Sequence, residues 1–124
     1  DLFWKSINSL QLFSDTKNNL LRAVVPPSKS ENMMSFLKNK YRYFIDWSGS
    51  LFWIEVPGDE NIREVKNTII QNDGYVTIIK KSEDFDFTEK LFTVDDTKLM
   101  ISKKIKESFD PRGLFNPGKM YKDF

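Results

Sequence analysis

The chain has 124 residues, 40% hydrophobic and 30% charged, which is the balance of one folded domain and excludes a disordered or membrane-embedded segment. Nineteen Lys and Arg against eighteen Asp and Glu leave no overall field to hold nucleic acid or an anionic membrane. Cysteine and histidine are both absent, so disulfides, thiolate metal sites and the commonest general base are excluded, and chemistry falls to carboxylates, lysines, arginines and tyrosines.

No apolar run reaches the roughly 20 residues of a membrane-spanning helix and no signal-peptide pattern is present, so a cytoplasmic location is expected. Asp1 leads directly into Leu2-Phe3-Trp4 without a Met, the start expected of a piece of a longer polypeptide. Residues 1–124 are read as a single domain of that polypeptide.

Within residues 2–13, Phe3, Ile7 and Leu10 fall at helical spacing and predict a lead-in helix, closed by the polar turn 14–19. Residues 20–25 form a β-branched apolar strand stopped by Pro26-Pro27, which lack N–H donors. Ser28 and Glu31 have capping-box spacing and open a helix through Met33, Phe36 and Leu37 to about Lys40. Residues 41–47 and 51–56 are strands on either side of Ser48-Gly49, a hairpin signal because Gly accepts the positive φ of a tight turn. Asp59 is the expected cap of a helix through Ile62, Val65 and Ile69, stopped by Asp73-Gly74, and residues 75–79 supply the fourth strand. The acidic, aromatic stretch 82–93 reads as a loop with a short strand near Leu91-Phe92. A last helix, capped by Asp95 or Asp96, runs through Ile101, Ile105 and Phe109 to Asp110-Pro111.

Strand, helix, strand, strand, helix, strand is the split βαβ order. The expected fold is therefore α+β and ferredoxin-like, an antiparallel βαββαβ sheet with helices on one face, plus an N-terminal lead-in helix and a C-terminal helix and tail. A two-residue Ser48-Gly49 loop sets Trp47 opposite Ser50 and pairs Asp46 with Leu51, Ile45 with Phe52, Phe44 with Trp53, Tyr43 with Ile54 and Arg42 with Glu55. One face then collects Tyr43, Ile45, Phe52, Ile54 and Val56 as core. The other collects Arg42, Phe44, Asp46, Leu51, Trp53 and Glu55, joined by Arg22, whose guanidinium would be costly under the helices. In structural terms Arg42 and Glu55 are a cross-strand ion pair, Phe44 and Trp53 a packed pair and Arg22 a solvated strand residue. In functional terms the face is one wall of a site completed by another domain, with Arg22 and Arg42 as candidates for binding a substrate carboxylate through the guanidinium fork.

The most specific stretch is Ile105-Lys106-Glu107-Ser108-Phe109-Asp110-Pro111-Arg112-Gly113-Leu114-Phe115-Asn116-Pro117-Gly118-Lys119-Met120-Tyr121. Asp-Pro ends a helix, Gly113 permits a left-handed turn, and Asn-Pro-Gly makes a second turn that presents Lys119. This run resembles the terminus of the FAD-linked oxidases of the vanillyl-alcohol oxidase superfamily. Upstream, Leu21-Arg22-Ala23-Val24-Val25-Pro26-Pro27, Ile45-Asp46-Trp47-Ser48-Gly49 and Trp53 are similar to the branch formed by the smaller FAD-binding subunit of bacterial glycolate oxidase. The resemblance implies a two-part flavoprotein in which a separate N-terminal domain binds FAD and a ferredoxin-like C-terminal cap covers the flavin. The flavin takes a hydride from a 2-hydroxy acid such as glycolate, giving glyoxylate. The partners implied are the chain's own N-terminal FAD domain and, in the glycolate oxidase assembly, a larger FAD-bearing subunit and an iron–sulfur subunit, with any link to the inner membrane made through those subunits. Asn116 and Lys119, which match the terminal turn, are the implied cofactor-side residues. No Gly-rich pyrophosphate-binding segment is present, so FAD is expected to bind mainly outside this chain, which would be inactive alone. No catalytic residue and no metal ligand is assigned.

Two other readings use the same face differently. A stand-alone ferredoxin-like binding module would stack RNA bases or a small ligand on Phe44 and Trp53, although the near-neutral charge weighs against RNA. An oligomerisation domain would pair copies through Phe44, Leu51 and Trp53.

Overall fold

The computed structural model describes residues 2–83, 85, 92–119 and 121, and the chain divides into two compact units, residues 1–86 and 87–124. In the first unit the order is α1 (Leu2–Asn8), β1 (Asn19–Val24), α2 (Ser30–Leu37), β2 (Arg42–Asp46), β3 (Leu51–Val56), α3 (Asp59–Gln71) and β4 (Tyr75–Lys80); α4 (Asp96–Phe109) belongs to the second. The four strands form one sheet in the order β2-β3-β1-β4, every neighbouring pair antiparallel. β3 lies between β1 and β2, so an inserted strand splits the first βαβ unit. The α+β class, the four-stranded antiparallel sheet, the lead-in helix and the C-terminal helix are all as the sequence patterns predict.

Alternation decides which side chains make the core. Leu21 and Ala23 of β1, Phe52, Ile54 and Val56 of β3, and Val76 and Ile78 of β4 point to one side, where Met33 and Leu37 of α2 and Ile62, Val65 and Ile69 of α3 meet them out of reach of water. The two helices lie side by side there. Asn32 Nδ2 donates to Asn72 Oδ1 at 3.3 Å and Lys40 pairs with Glu64 at 3.3 Å. At the end of α3 the N–H groups of Asn72 and Gly74 donate to Ile69 O at 3.1 and 2.9 Å, closing the helix. A Cβ on Gly74 would stand 2.6 Å from Val25 Cγ1 and 2.7 Å from Val24 O, so close approach to the end of β1 demands the glycine.

The β2–β3 hairpin has the expected pairs from Asp46–Leu51 through Arg42–Glu55, but Trp47 and Ser50 do not pair as strand residues. Its tip, however, spans residues 47–50, because Trp47 and Ser48 join Gly49 at positive φ, 51°, 53° and 91°. The tip gains one residue on each strand, so the register is unchanged. Asp46 Oδ1 accepts from the Trp47 N–H at 2.7 Å, and the Ser30 hydroxyl donates to Gly49 O.

Four helix ends differ from expectation. The lead-in helix ends at Asn8 rather than running to 13, because the Ser6 and Ser9 hydroxyls donate to Phe3 O and Lys5 O at 2.6 and 2.7 Å and Leu10 turns left-handed at φ 52°. A short 3-10 turn, Gln11–Phe13, then drives Phe13 inward. The Ser28–Glu31 capping box does not form: Pro27–Lys29 make a 3-10 turn, α2 starts at Ser30, and it stops at Leu37 just before left-handed Asn39. Asp59 is the first helical residue of α3, not its cap, which is Gly58 at φ 67°. Of the expected strand near 91–92, Leu91 lies outside the described residues and Phe92 makes an isolated bridge.

Candidate functional site

The second face of the sheet carries side chains in three rows. Arg42, Glu55 and Leu20 form the first, Phe44, Trp53, Arg22 and Thr77 the second, and Asp46, Leu51, Val24 and Tyr75 the third. Arg22 and Arg42 thus share the face expected of them, two strands and one row apart.

The face is not uniformly open. The lead-in segment, which the sequence adds to the sheet-and-helix unit, covers its first row. Phe13, 3% exposed, lies under Arg42 with the guanidinium carbon 5.4 Å from the ring centroid. Thr16 Oγ1 and Asn18 Nδ2 both donate to Glu55 Oε1, at 2.5 and 2.8 Å, and Arg42 Nη1 stands 3.5 Å from Glu55 Oε2. Burial pushes the Glu55 carboxyl up, but the bonds from Thr16 and Asn18 and the Arg42 charge outweigh it and hold Glu55 below the usual carboxylate range. Lys80 Nζ, donating to Thr16 O at 2.5 Å, ties the same segment to β4.

The two arginines are therefore in different chemical states. Arg42 is paired with Glu55 across the strands. Arg22 is half-buried in the centre of the sheet, its guanidinium carbon 5.2 Å from the centroid of the exposed Trp47 ring, and among the described residues no carboxylate pairs with it. A guanidinium held over a ring and without a carboxylate among the described residues keeps donors that suit a planar anion. Phe44 and Trp53 are register partners, both half-buried.

Asn116 and Lys119 lie in the second unit, in a run organised by Asp110. Asp95 caps α4 by accepting from the Lys98 N–H at 2.8 Å, and at the other end Asp110 Oδ1 accepts from the Leu114 N–H and Oδ2 from the Phe115 N–H, each at 2.9 Å. Lys106 Nζ donates to the same carboxylate and, at 2.5 Å, to Phe115 O. The Lys106 ammonium and these two amides pull the Asp110 carboxyl down to about 2. Gly113 at φ 62° lets the chain fold back over its own helix end, and Asn116 at φ 47° begins the next turn, its carbonyl accepting from the Lys119 N–H at 3.3 Å.

Sequence reasoning missed Phe13, read as the end of the lead-in helix, and Thr16 and Asn18, read as a turn, and it treated Asp110 as a helix stop. Spacing to a Lys one helical turn earlier, Lys106 to Asp110, was the available signal for the latter. Among the described residues no helix is long and apolar enough to cross a membrane, and no three acidic side chains are grouped to hold a metal ion. No family model, curated protein or solved structure matches the chain.

Proposed function

We propose that this chain is the C-terminal, substrate-side module of an FAD-dependent oxidase of 2-hydroxy acids, acting only with an N-terminal flavin domain and partner subunits of the glycolate oxidase type. One observation carries the reading: the terminal Phe-Asp-Pro-x-Gly to Asn-Pro-Gly-Lys run is a built turn, with Lys106, Leu114 and Phe115 all tied to Asp110. A turn so fixed holds Asn116 and Lys119 in defined directions, as a docking element requires. Arg22 adds support, since a half-buried cation with no carboxylate partner among the described residues suits the acid group of a small substrate.

FAD, when bound, would accept the hydride from the hydroxyl-bearing carbon. With no Gly-rich phosphate cradle in the chain, its residues fit FAD only as edge donors, Asn116 and Lys119, and the dinucleotide would be held by the other domain. The work of this chain is to orient the substrate: Arg22 fixes the carboxylate, and the Trp47 ring beside it holds the guanidinium in place. Arg42, whose charge is partly offset by Glu55 at 3.5 Å, contributes less than Arg22 to binding this substrate's carboxylate.

The test is to join the chain to its upstream polypeptide and assemble it with the larger flavin-bearing subunit and the iron–sulfur subunit. Glycolate should bleach the flavin in that assembly, the isolated chain should do nothing, and Arg22→Lys should raise KM roughly tenfold or more with a smaller change in kcat. Turnover by the isolated chain, an assembly that takes up no flavin, or a salt-sensitive gel shift with single-stranded RNA would each replace this reading.

A further inference from the structure

Between the lead-in segment and the first row of the second face lies a cavity of 820 Å³, within the range of small-ligand sites. Phe3, Ile7, Leu12 and Phe44 give it apolar walls; Asp15 and Lys17 of the lead-in segment line it as well, and on the sheet side Arg42 and Glu55 stand together as a charged pair. Their pairing is incomplete. Glu55 Oε1 is saturated by Thr16 and Asn18, whereas Oε2 is shut off from solvent with no hydrogen-bond donor among the described residues. Arg42 Nη1, at 3.5 Å, is near enough for charge attraction but at the outer limit of hydrogen-bond distance, and the arginine side chain is 59% exposed. A buried carboxylate oxygen without a donor is a costly arrangement that calls for an explanation.

We propose that this cavity binds a small zwitterion, an α-amino acid with an apolar side chain, by insertion into the Arg42–Glu55 pair. The ammonium donates to Glu55 Oε2, the carboxylate accepts from the displaced guanidinium, and the side chain enters the apolar part of the cavity between Phe44 and the α1 residues Phe3 and Ile7. One loose ion contact becomes two hydrogen-bonded ones, and no charge is left unpaired. Phe13 beneath the guanidinium and the two donors on Oε1 keep both ends of the site in position before the ligand arrives. Neither half of the ligand suffices: an amine alone would displace Arg42 without re-pairing it, and an acid alone would leave Glu55 uncompensated.

The site is independent of the flavin reading and is tested on the chain alone by amide chemical-shift titration. L-phenylalanine should move the Thr16, Asn18, Arg42 and Glu55 amides saturably, with a Kd at least tenfold below those of 3-phenylpropanoate and 2-phenylethylamine. Glu55→Gln should weaken L-phenylalanine about tenfold without weakening 3-phenylpropanoate. Leu12→Trp, at a half-exposed wall position away from both charges, should abolish the shifts by filling the cavity and gives the answer if the Glu55 variant does not fold. Absence of saturable shifts, equal affinity for the three compounds, or indifference of L-phenylalanine to a folded Leu12→Trp variant would overturn the proposal.

Discussion

On one face of the sheet, Leu21, Ala23, Phe52, Ile54 and Val76 meet helix side chains with almost no solvent contact, and the polar Asn19 among them is used to accept from the Ser82 N–H at 2.9 Å. On the other face, Arg22, Arg42, Glu55 and Trp47 are fixed by stacking and charge, with a lead-in segment laid over one row. The first face is held by burial, which is non-directional and scales with area. The second depends on directional contacts between partners distant in sequence, such as Thr16 and Glu55. Loss of a contact should therefore unfold the molecule in the first case and chiefly loosen or reshape a site in the second.

The largest effect should come from the first face. Phe52→Ala, at a position with no exposure, should cost about 3–5 kcal/mol in urea unfolding, and Trp53→Ala, its half-buried neighbour on the opposite face, clearly less. Equal costs would break the contrast. Gly74→Ala should cost about 1–3 kcal/mol, because its Cβ meets backbone at 2.7 Å, where little can yield. The same measurement reads it.

Glu55→Ala removes the acceptor of Thr16 and Asn18 and leaves Arg42 unpaired, with an expected loss of about 1–2 kcal/mol at neutral pH. Its folded pKa lies below the ordinary 4.5, so its stabilisation is complete above that value and is lost as pH falls through the lower folded value. The wild-type and mutant unfolding curves should accordingly converge on acidification. Asp110 obeys the same sign in the second unit. With a folded pKa of about 2 against an ordinary 3.8, the Leu114 and Phe115 amide shifts should stay constant down to about pH 4 and change only near pH 2, a profile that Asp110→Asn should erase. Ser48→Gly should give the smallest effect and the opposite sign, a gain of about 0.5–1 kcal/mol in urea unfolding, since Ser48 sits at φ 53° without a packing reason for its side chain.

Local pattern alone determined the strands, the α3 and α4 helices, the five-pair hairpin register and the assignment of Arg22 and Arg42 to one face. Each follows from a period of two or 3.6 and from Gly and Pro stops, which act over a few residues. The helix termini at Asn8 and Ser30 were less legible, because hydroxyls at Ser6, Ser9 and Ser30 could bond locally or across the fold and the chain order does not choose between them. Only the tertiary structure decided that residues 13–18 would cover Arg42 and Glu55, that Arg22 would find no carboxylate among the described residues, and that Asp110 would gather Lys106 with the amides of Leu114 and Phe115. Those outcomes depend on which donors reach a carboxylate in space, and sequence separation, 39 residues between Thr16 and Glu55, carries no record of that distance.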